Sequence, residues 1–182
     1  VEPTHKTRHY RREITWAVFN EKSNRLANML TQNGIGKGKK VGILLMNCID
    51  WLPIYFGILK TGALVVPLNF RYSSDEIDYC LNLADISVLF FGPEFIGRLE
   101  AISDKIISHR LLIYVGEGLA PTFSESYFMS AMNYSSENLS IEISDDDDAA
   151  IYFSSGTTGF PKAILHNHTS LMHACRVEQN HH

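Results

Sequence analysis

The sequence predicts a doubly wound, mostly parallel α/β sheet flanked by helices, and two observations carry that prediction. Hydrophobic spacing switches repeatedly between a helical period and short continuous apolar runs, the pattern of amphipathic helices alternating with strands buried on both faces. Several such strand and helix units follow one another before Gly116. Right-handed crossovers then build one sheet, with ligands expected beyond the carboxyl ends of its strands.

Thr15 is placed to cap a helix running to about Gln32, with Phe19, Leu26, Met29 and Leu30 on one face and Gly34 at its end. Val41 to Met46 has strand length. Asp50 opens a second helix with the stripe Trp51, Ile54, Tyr55, Ile58 and Leu59, and Pro53 is tolerable in its first turns. The Trp51 and Tyr55 positions read as core in preference to an acyl pocket. Leu64 to Leu68 is the next strand, after which Ser73 and Glu76 form a capping box for a helix turning Ile77, Cys80, Leu81 and Ala84 inward. Ser87 to Phe91 is strand. Phe95, Ile96, Leu99, Ile102 and Ile106 predict one further amphipathic helix before the strand Leu111 to Val115. From Gly116 to Asp148 the pattern weakens to a long connection with at most a short helix near Tyr127 to Met132. Ala149 to Phe153 is again β-prone.

Composition sets limits on function. The chain has 182 residues, 45% of them hydrophobic, with 16 Lys+Arg against 20 Asp+Glu, a balance that argues against nucleic acid as a partner. Cys48, Cys80 and Cys175 lie far apart without Cys-x-x-Cys spacing, which suits a reducing, cytoplasmic setting. Val1 to Arg12 lacks the apolar stretch of a signal peptide. Leu52 to Leu68 is broken by Lys60 and by prolines and glycines, so no membrane span is expected.

The informative stretch is Ser154-Ser155-Gly156-Thr157-Thr158-Gly159-Phe160-Pro161-Lys162. A strand that ends in glycines and small hydroxyls presents backbone N–H and O–H donors in one small volume, and a lysine closes it with positive charge. A plain turn is disfavoured, because four hydroxyls, two glycines and a lysine in nine residues exceed what a turn requires. A Walker A loop fails as well. Pro161 stands where its second glycine belongs, and Ala163 replaces the hydroxyl that would hold Mg²⁺.

Ile151 to Lys162 resembles the signature phosphate loop of the AMP-forming adenylate-forming enzymes, which include acyl-CoA synthetases, aryl-CoA ligases, luciferases and peptide-synthetase adenylation domains. Ile14-Thr15-Trp16 leading into Ser23 to Ala27, and Leu59 to Asn69, agree in order and spacing, so the resemblance spans about Arg12 to Cys175. Departures are small: Ser154 where the family often has Thr, Ala163 where it often has Gly, and Val18 where it often has an acidic residue.

The resemblance implies that a carboxylic acid reacts with ATP to give an acyl-adenylate and pyrophosphate, and that coenzyme A then takes the acyl group, the chemistry of an acyl-CoA synthetase acting in, for example, fatty acid metabolism. By the same resemblance Ser154, Ser155, Gly156, Thr157, Thr158, Gly159 and Lys162 hold the β- and γ-phosphates, and Lys162 assists the departing pyrophosphate electrostatically. Residues 1–182 then form the N-terminal portion of the large ATP- and acyl-binding domain. The Mg²⁺ ligand, the remainder of that domain and a small C-terminal domain are expected downstream, and the piece alone is expected to be inactive. No metal site is assigned within it. The alternatives are an adenylation enzyme with a carrier-protein thiol or oxygen as acceptor, and a non-catalytic phosphate-binding or interaction module. The acid and the oligomeric state stay open, a homo-oligomer included.

Two other features of the sequence have chemistry of their own. His166, His168, His173 and Cys175 have metal-ligand chemistry, but the resemblance makes Ala163 to His168 the strand leaving the loop and Ser170 onward a helix, where they serve as surface and packing groups. Asp145 to Asp148 reads as a solvated loop in preference to a cation site. Exposed apolar surface is expected where the rest of the domain packs.

Overall fold

The computed structural model describes residues 12–154 and 160–181. Seven strands form one sheet in the order β5-β4-β3-β1-β2-β6-β7. β1 (Lys40–Leu44), β2 (Leu64–Pro67), β3 (Ile86–Phe91), β4 (Leu111–Tyr114), β5 (Glu125–Ser126) and β6 (Asp148–Ser154) pair in parallel, and β7 (Lys162–Asn167) runs antiparallel to β6. The predicted doubly wound, mostly parallel sheet is present. β1 lies centrally, with β2 on one side and β3 on the other, so the chain reverses its direction of travel between β1 and β3.

The helices form where local chemistry starts and stops them. In α1 (Trp16–Gln32) the Thr15 hydroxyl accepts from the Val18 N–H at 3.2 Å, and Gly34 turns the chain with φ of 76°. α2 (Trp51–Lys60) starts after Asp50, whose carboxylate does not cap it; the group is buried and pairs with Lys22 instead. α3 (Ser74–Leu83) carries the expected capping box, Glu76 Oε2 accepting from the Ser73 N–H at 2.8 Å. α1 and α2 meet closely at Gly57, where an added Cβ would stand 2.9 Å from the Ser23 carbonyl oxygen.

Two apolar layers cover the sheet. On one face Ile77, Cys80 and Leu81 of α3 pack with Phe91, Phe95 and Leu99; on the other Leu26 and Leu30 of α1 pack with Ile54, Ile58 and Phe90. Burial pushes the Cys80 thiol up to about 12, consistent with a packing role for this cysteine.

The structure corrects the sequence reading in two places. The helix expected over 95–106 is three short pieces: a 3₁₀ turn (Pro93–Phe95), α4 (Ile96–Glu100) and α5 (Ser103–Ile106). Phe95, Leu99, Ile102 and Ile106 are buried all the same, so the spacing satisfied the core without a continuous helix. The connection after β4 also hides the edge strand β5 ahead of α6 (Tyr127–Ala131). Two residues are too few to show a period. The chain that follows α6 is tied to α1 by side chains: Asn24 donates to the Ser136 carbonyl at 2.7 Å and Asn28 to the Ser135 carbonyl at 3.0 Å. α7 (His168–His181) completes the described chain and has no buried residue.

Candidate functional site

The glycine- and hydroxyl-rich stretch joins β6 to β7, and the ladder brings its two ends together. Ser154, the last residue of β6, is the register partner of Lys162, the first of β7. Opposed residues of an antiparallel pair lie about 4.5–5.5 Å apart at Cα with side chains on the same face. The half-buried Ser154 hydroxyl and the exposed Lys162 ammonium therefore flank the base of a hairpin loop at the carboxyl end of β6. Ser155, Gly156, Thr157, Thr158 and Gly159, the other predicted phosphate ligands, lie outside the described residues. A strand follows the loop where a Walker A loop leads into a helix, so no helix N-terminus contributes directly after it. Lys162 brings a positive charge to the mouth of the loop. Among the described residues no carboxylate pairs with Lys162.

Aromatic contacts anchor both ends of the hairpin. The Tyr152 and Tyr55 hydroxyls share a hydrogen bond of 2.8 Å, which joins β6 to α2 two residues before Ser154. Burial, with the Tyr152 hydrogen bond second, holds the Tyr55 phenol well above its ordinary range. Trp51 stacks on Tyr55 at 5.4 Å and His166 meets the Tyr152 ring edge-on at 5.4 Å. Trp51 and Tyr55 are half-buried and pack against the core of that face. At the other end Pro161 is buried, and the Phe160 ring lies 4.7 Å from Tyr79 of α3.

The acidic run shapes the entry to β6. Asp147 pairs with Lys37 at 2.6 Å and accepts from the Ser144 N–H at 2.8 Å. The Lys37 hydrogen bond, followed by that from Ser144, holds its carboxyl below the ordinary carboxylate range. The Asp145 carbonyl accepts from the Thr169 N–H at 2.9 Å, and Asn167 Oδ1 from the Ser170 N–H at 2.9 Å, so α7 starts on groups from both the acidic turn and the end of β7. Among the described residues no group of three or more His, Cys, Asp or Glu side chains converges to hold a metal ion. The aromatic anchors and the Asn167 cap escaped the sequence reading. Asn167 falls three residues before Ser170, the spacing of a side-chain cap, and that signal was available.

Elsewhere along the same rim of the sheet, the reversal between β1 and β3 opens a cleft of about 510 Å³ lined by Asn47, Cys48, Gly92, Glu94, Tyr114 and Gly116. This is the position where doubly wound sheets commonly receive ligands. No described helix is long and apolar enough to cross a membrane.

The family model described as AMP-binding enzyme matches residues 3–182, and the chain belongs to that family. A crotonobetaine/carnitine–CoA ligase of Salmonella paratyphi B is 32% identical over 90% of this chain and 32% of its own length. A medium/long-chain-fatty-acid–CoA/3-oxocholest-4-en-26-oate–CoA ligase of Mycobacterium marinum is 29% identical over 87% of this chain and 30% of its own. Among solved structures, the anthranilate CoA ligase AuaEII in complex with anthranoyl-AMP superposes with a TM-score of 0.81 at 29% identity, covering 86% of this chain and 30% of that one. The chain spans about a third of the length of the curated relatives it matches.

Proposed function

We propose that the whole protein is an AMP-forming acid–CoA ligase, and that residues 1–182 are the N-terminal portion of its large domain. In the first step a carboxylate oxygen bonds to the α-phosphorus of ATP and the bond to pyrophosphate breaks. In the second the sulfur of coenzyme A bonds to the acyl carbon and AMP leaves. Ser154, Ser155, Gly156, Thr157, Thr158, Gly159 and Lys162 are the residues we assign to the β- and γ-phosphates. Mg²⁺ would neutralise phosphate charge when bound, with its ligand outside this chain. We place the reaction in the cytoplasm, on the separated cysteines.

The observation that carries this reading is the hairpin register, which puts the exposed Lys162 ammonium opposite Ser154 at the mouth of the loop. Donors held in place around a leaving group that gains charge lower the barrier electrostatically, and phosphoryl chemistry asks little else of the protein. The CoA-ligase names of the relatives support the acceptor. Their acids range from fatty acids to crotonobetaine and carnitine, so a screen of carboxylic acids by pyrophosphate exchange is the way to find the substrate. The apolar Ile164, Leu165 and Met172, exposed on β7 and α7, support a further part of the same protein packing there.

In the whole protein, Lys162→Ala is expected to weaken adenylation by about 1.5–3 kcal/mol, the scale of a lost charged hydrogen bond. Acid-dependent pyrophosphate exchange measures it. Unchanged exchange in that variant would remove the role assigned to the lysine.

A further inference from the structure

We propose that Tyr79 is a positioning residue for the phosphate loop, acting through Phe160 to fix the exit of the hairpin from which Lys162 projects. The inference rests on the phosphate-loop reading above and deepens it.

Tyr79 stands on the outer side of α3. The inward side, Ile77, Cys80 and Leu81, is fully buried, and the capping box fixes the start of the helix. Tyr79 itself is 36% exposed and adds little to that core. Its ring partner is Phe160, 48% exposed, with centroids 4.7 Å apart and planes inclined at 38°. Phe160 leads into the buried Pro161, whose ring limits its own backbone torsion, and Lys162 follows at once. A ring held on a rigid helix thus restrains the residue two positions before the ammonium.

The opposite end of the hairpin is held from the other face of the sheet, there by a hydrogen bond. Tyr152 reaches Tyr55 of α2, which belongs to the layer of α1 and α2, while α3 belongs to the layer beyond. One aromatic side chain on each strand side, Tyr152 of β6 and Phe160 just before β7, is thus held from opposite faces, which fixes where Lys162 starts. Preorganised donors are worth more than mobile ones, because their ordering cost falls before the ligand arrives. The contact uses ring faces, and no hydrogen bond of the Tyr79 hydroxyl is needed.

The test is MgATP affinity by calorimetry in the whole protein, with thermal melting of the ligand-free protein alongside. Tyr79→Ala is expected to lose roughly two- to tenfold in affinity, the range an aromatic pair supplies, with its melting temperature lowered by no more than the few degrees that one such pair accounts for. Tyr79→Phe keeps the ring and restores wild-type affinity. Phe160→Ala loses as much as Tyr79→Ala, and the double variant loses no more than either. Wild-type affinity in Tyr79→Ala alongside a loss in Lys162→Ala overturns the proposal and leaves the loop reading standing. Wild-type affinity in Lys162→Ala overturns both. An equal loss in Tyr79→Phe, or a fall in melting temperature well beyond what one aromatic pair accounts for, also overturns it.

Discussion

The β1 to β4 layers and the β6-β7-α7 edge are built on different terms. In the central strands nearly every side chain is buried, and Val41, Val65, Val66, Leu89, Phe90 and Phe91 have essentially no exposure. Across the sheet, β7 exposes Ile164 and Leu165 on successive positions, hence on both faces, and no described residue of α7 is fully buried. The central layers find their partners within this chain, whereas the edge holds a chemically specialised loop on a few aromatic and polar contacts. The stretch we assign to phosphate binding thus adjoins the part of the chain that buries least of itself.

Truncating one apolar side chain in each region tests that contrast most severely. Phe91→Ala removes a fully buried ring that lies 5.7 Å from Tyr114 and 5.9 Å from Phe123. It should cost about 3–5 kcal/mol in urea unfolding, whereas Leu165→Ala, in this chain, should stay within about 0.5 kcal/mol. Similar losses in both would erase the distinction. Gly57→Ala probes the core at a narrower point. The new methyl would lie 2.7 Å from Leu26 Cδ2 and 2.9 Å from the Ser23 carbonyl oxygen. Crowding of this kind costs about 1–3 kcal/mol and outweighs the roughly 1 kcal/mol that alanine gains over glycine in a helix. A neutral result would mean that α1 and α2 can separate freely. Smaller again is Ser73→Ala, which opens the capping box of α3 and should cost about 1 kcal/mol by the same unfolding measurement.

The central layers were also the more legible in the sequence. Thr15, Gly34 and the Ser73 and Glu76 pair are local signals, and each appears in the structure at the expected place. Buried strands such as Val88 to Phe91 announce themselves as apolar runs. The segment over 95–106 misled because burial alone sets its spacing; a 3₁₀ turn and two short helices present the same residues as one helix would. β5 has two residues and takes its identity from β4, which no local pattern encodes. At the candidate site, residue types pointed to the phosphate loop, but Tyr79 with Phe160 and Tyr55 with Tyr152 are separated by 81 and 97 positions in the sequence. Contacts of that range follow from topology, not from spacing.

The smallest expected effect lies where the two regions are joined. The Lys37 stem lies across Gly62, where a Cβ would stand 2.8 Å from Lys37 Cγ, and its ammonium reaches Asp147 at the turn into β6. Gly62 has φ of 74°, so a side chain there would meet both crowding and strain. The pair ties the α1 to β1 turn to the acidic turn, and through the Asp147 carbonyl, which accepts from the His168 N–H at 3.1 Å, to the start of α7. Because the folded protein holds the Asp147 carboxyl below its ordinary value of 3.8, the unfolded chain takes up the proton first as pH falls. The contribution is therefore complete above that ordinary value and is lost as pH drops through the lower, folded one. Asp147→Asn should lower the urea midpoint slightly at pH 7 and match wild type in strong acid. The exposed pair should also weaken in high salt. A difference between the two proteins that persists undiminished at low pH would assign the effect to packing and would leave the edge tied to the core by its ladder and aromatic contacts alone.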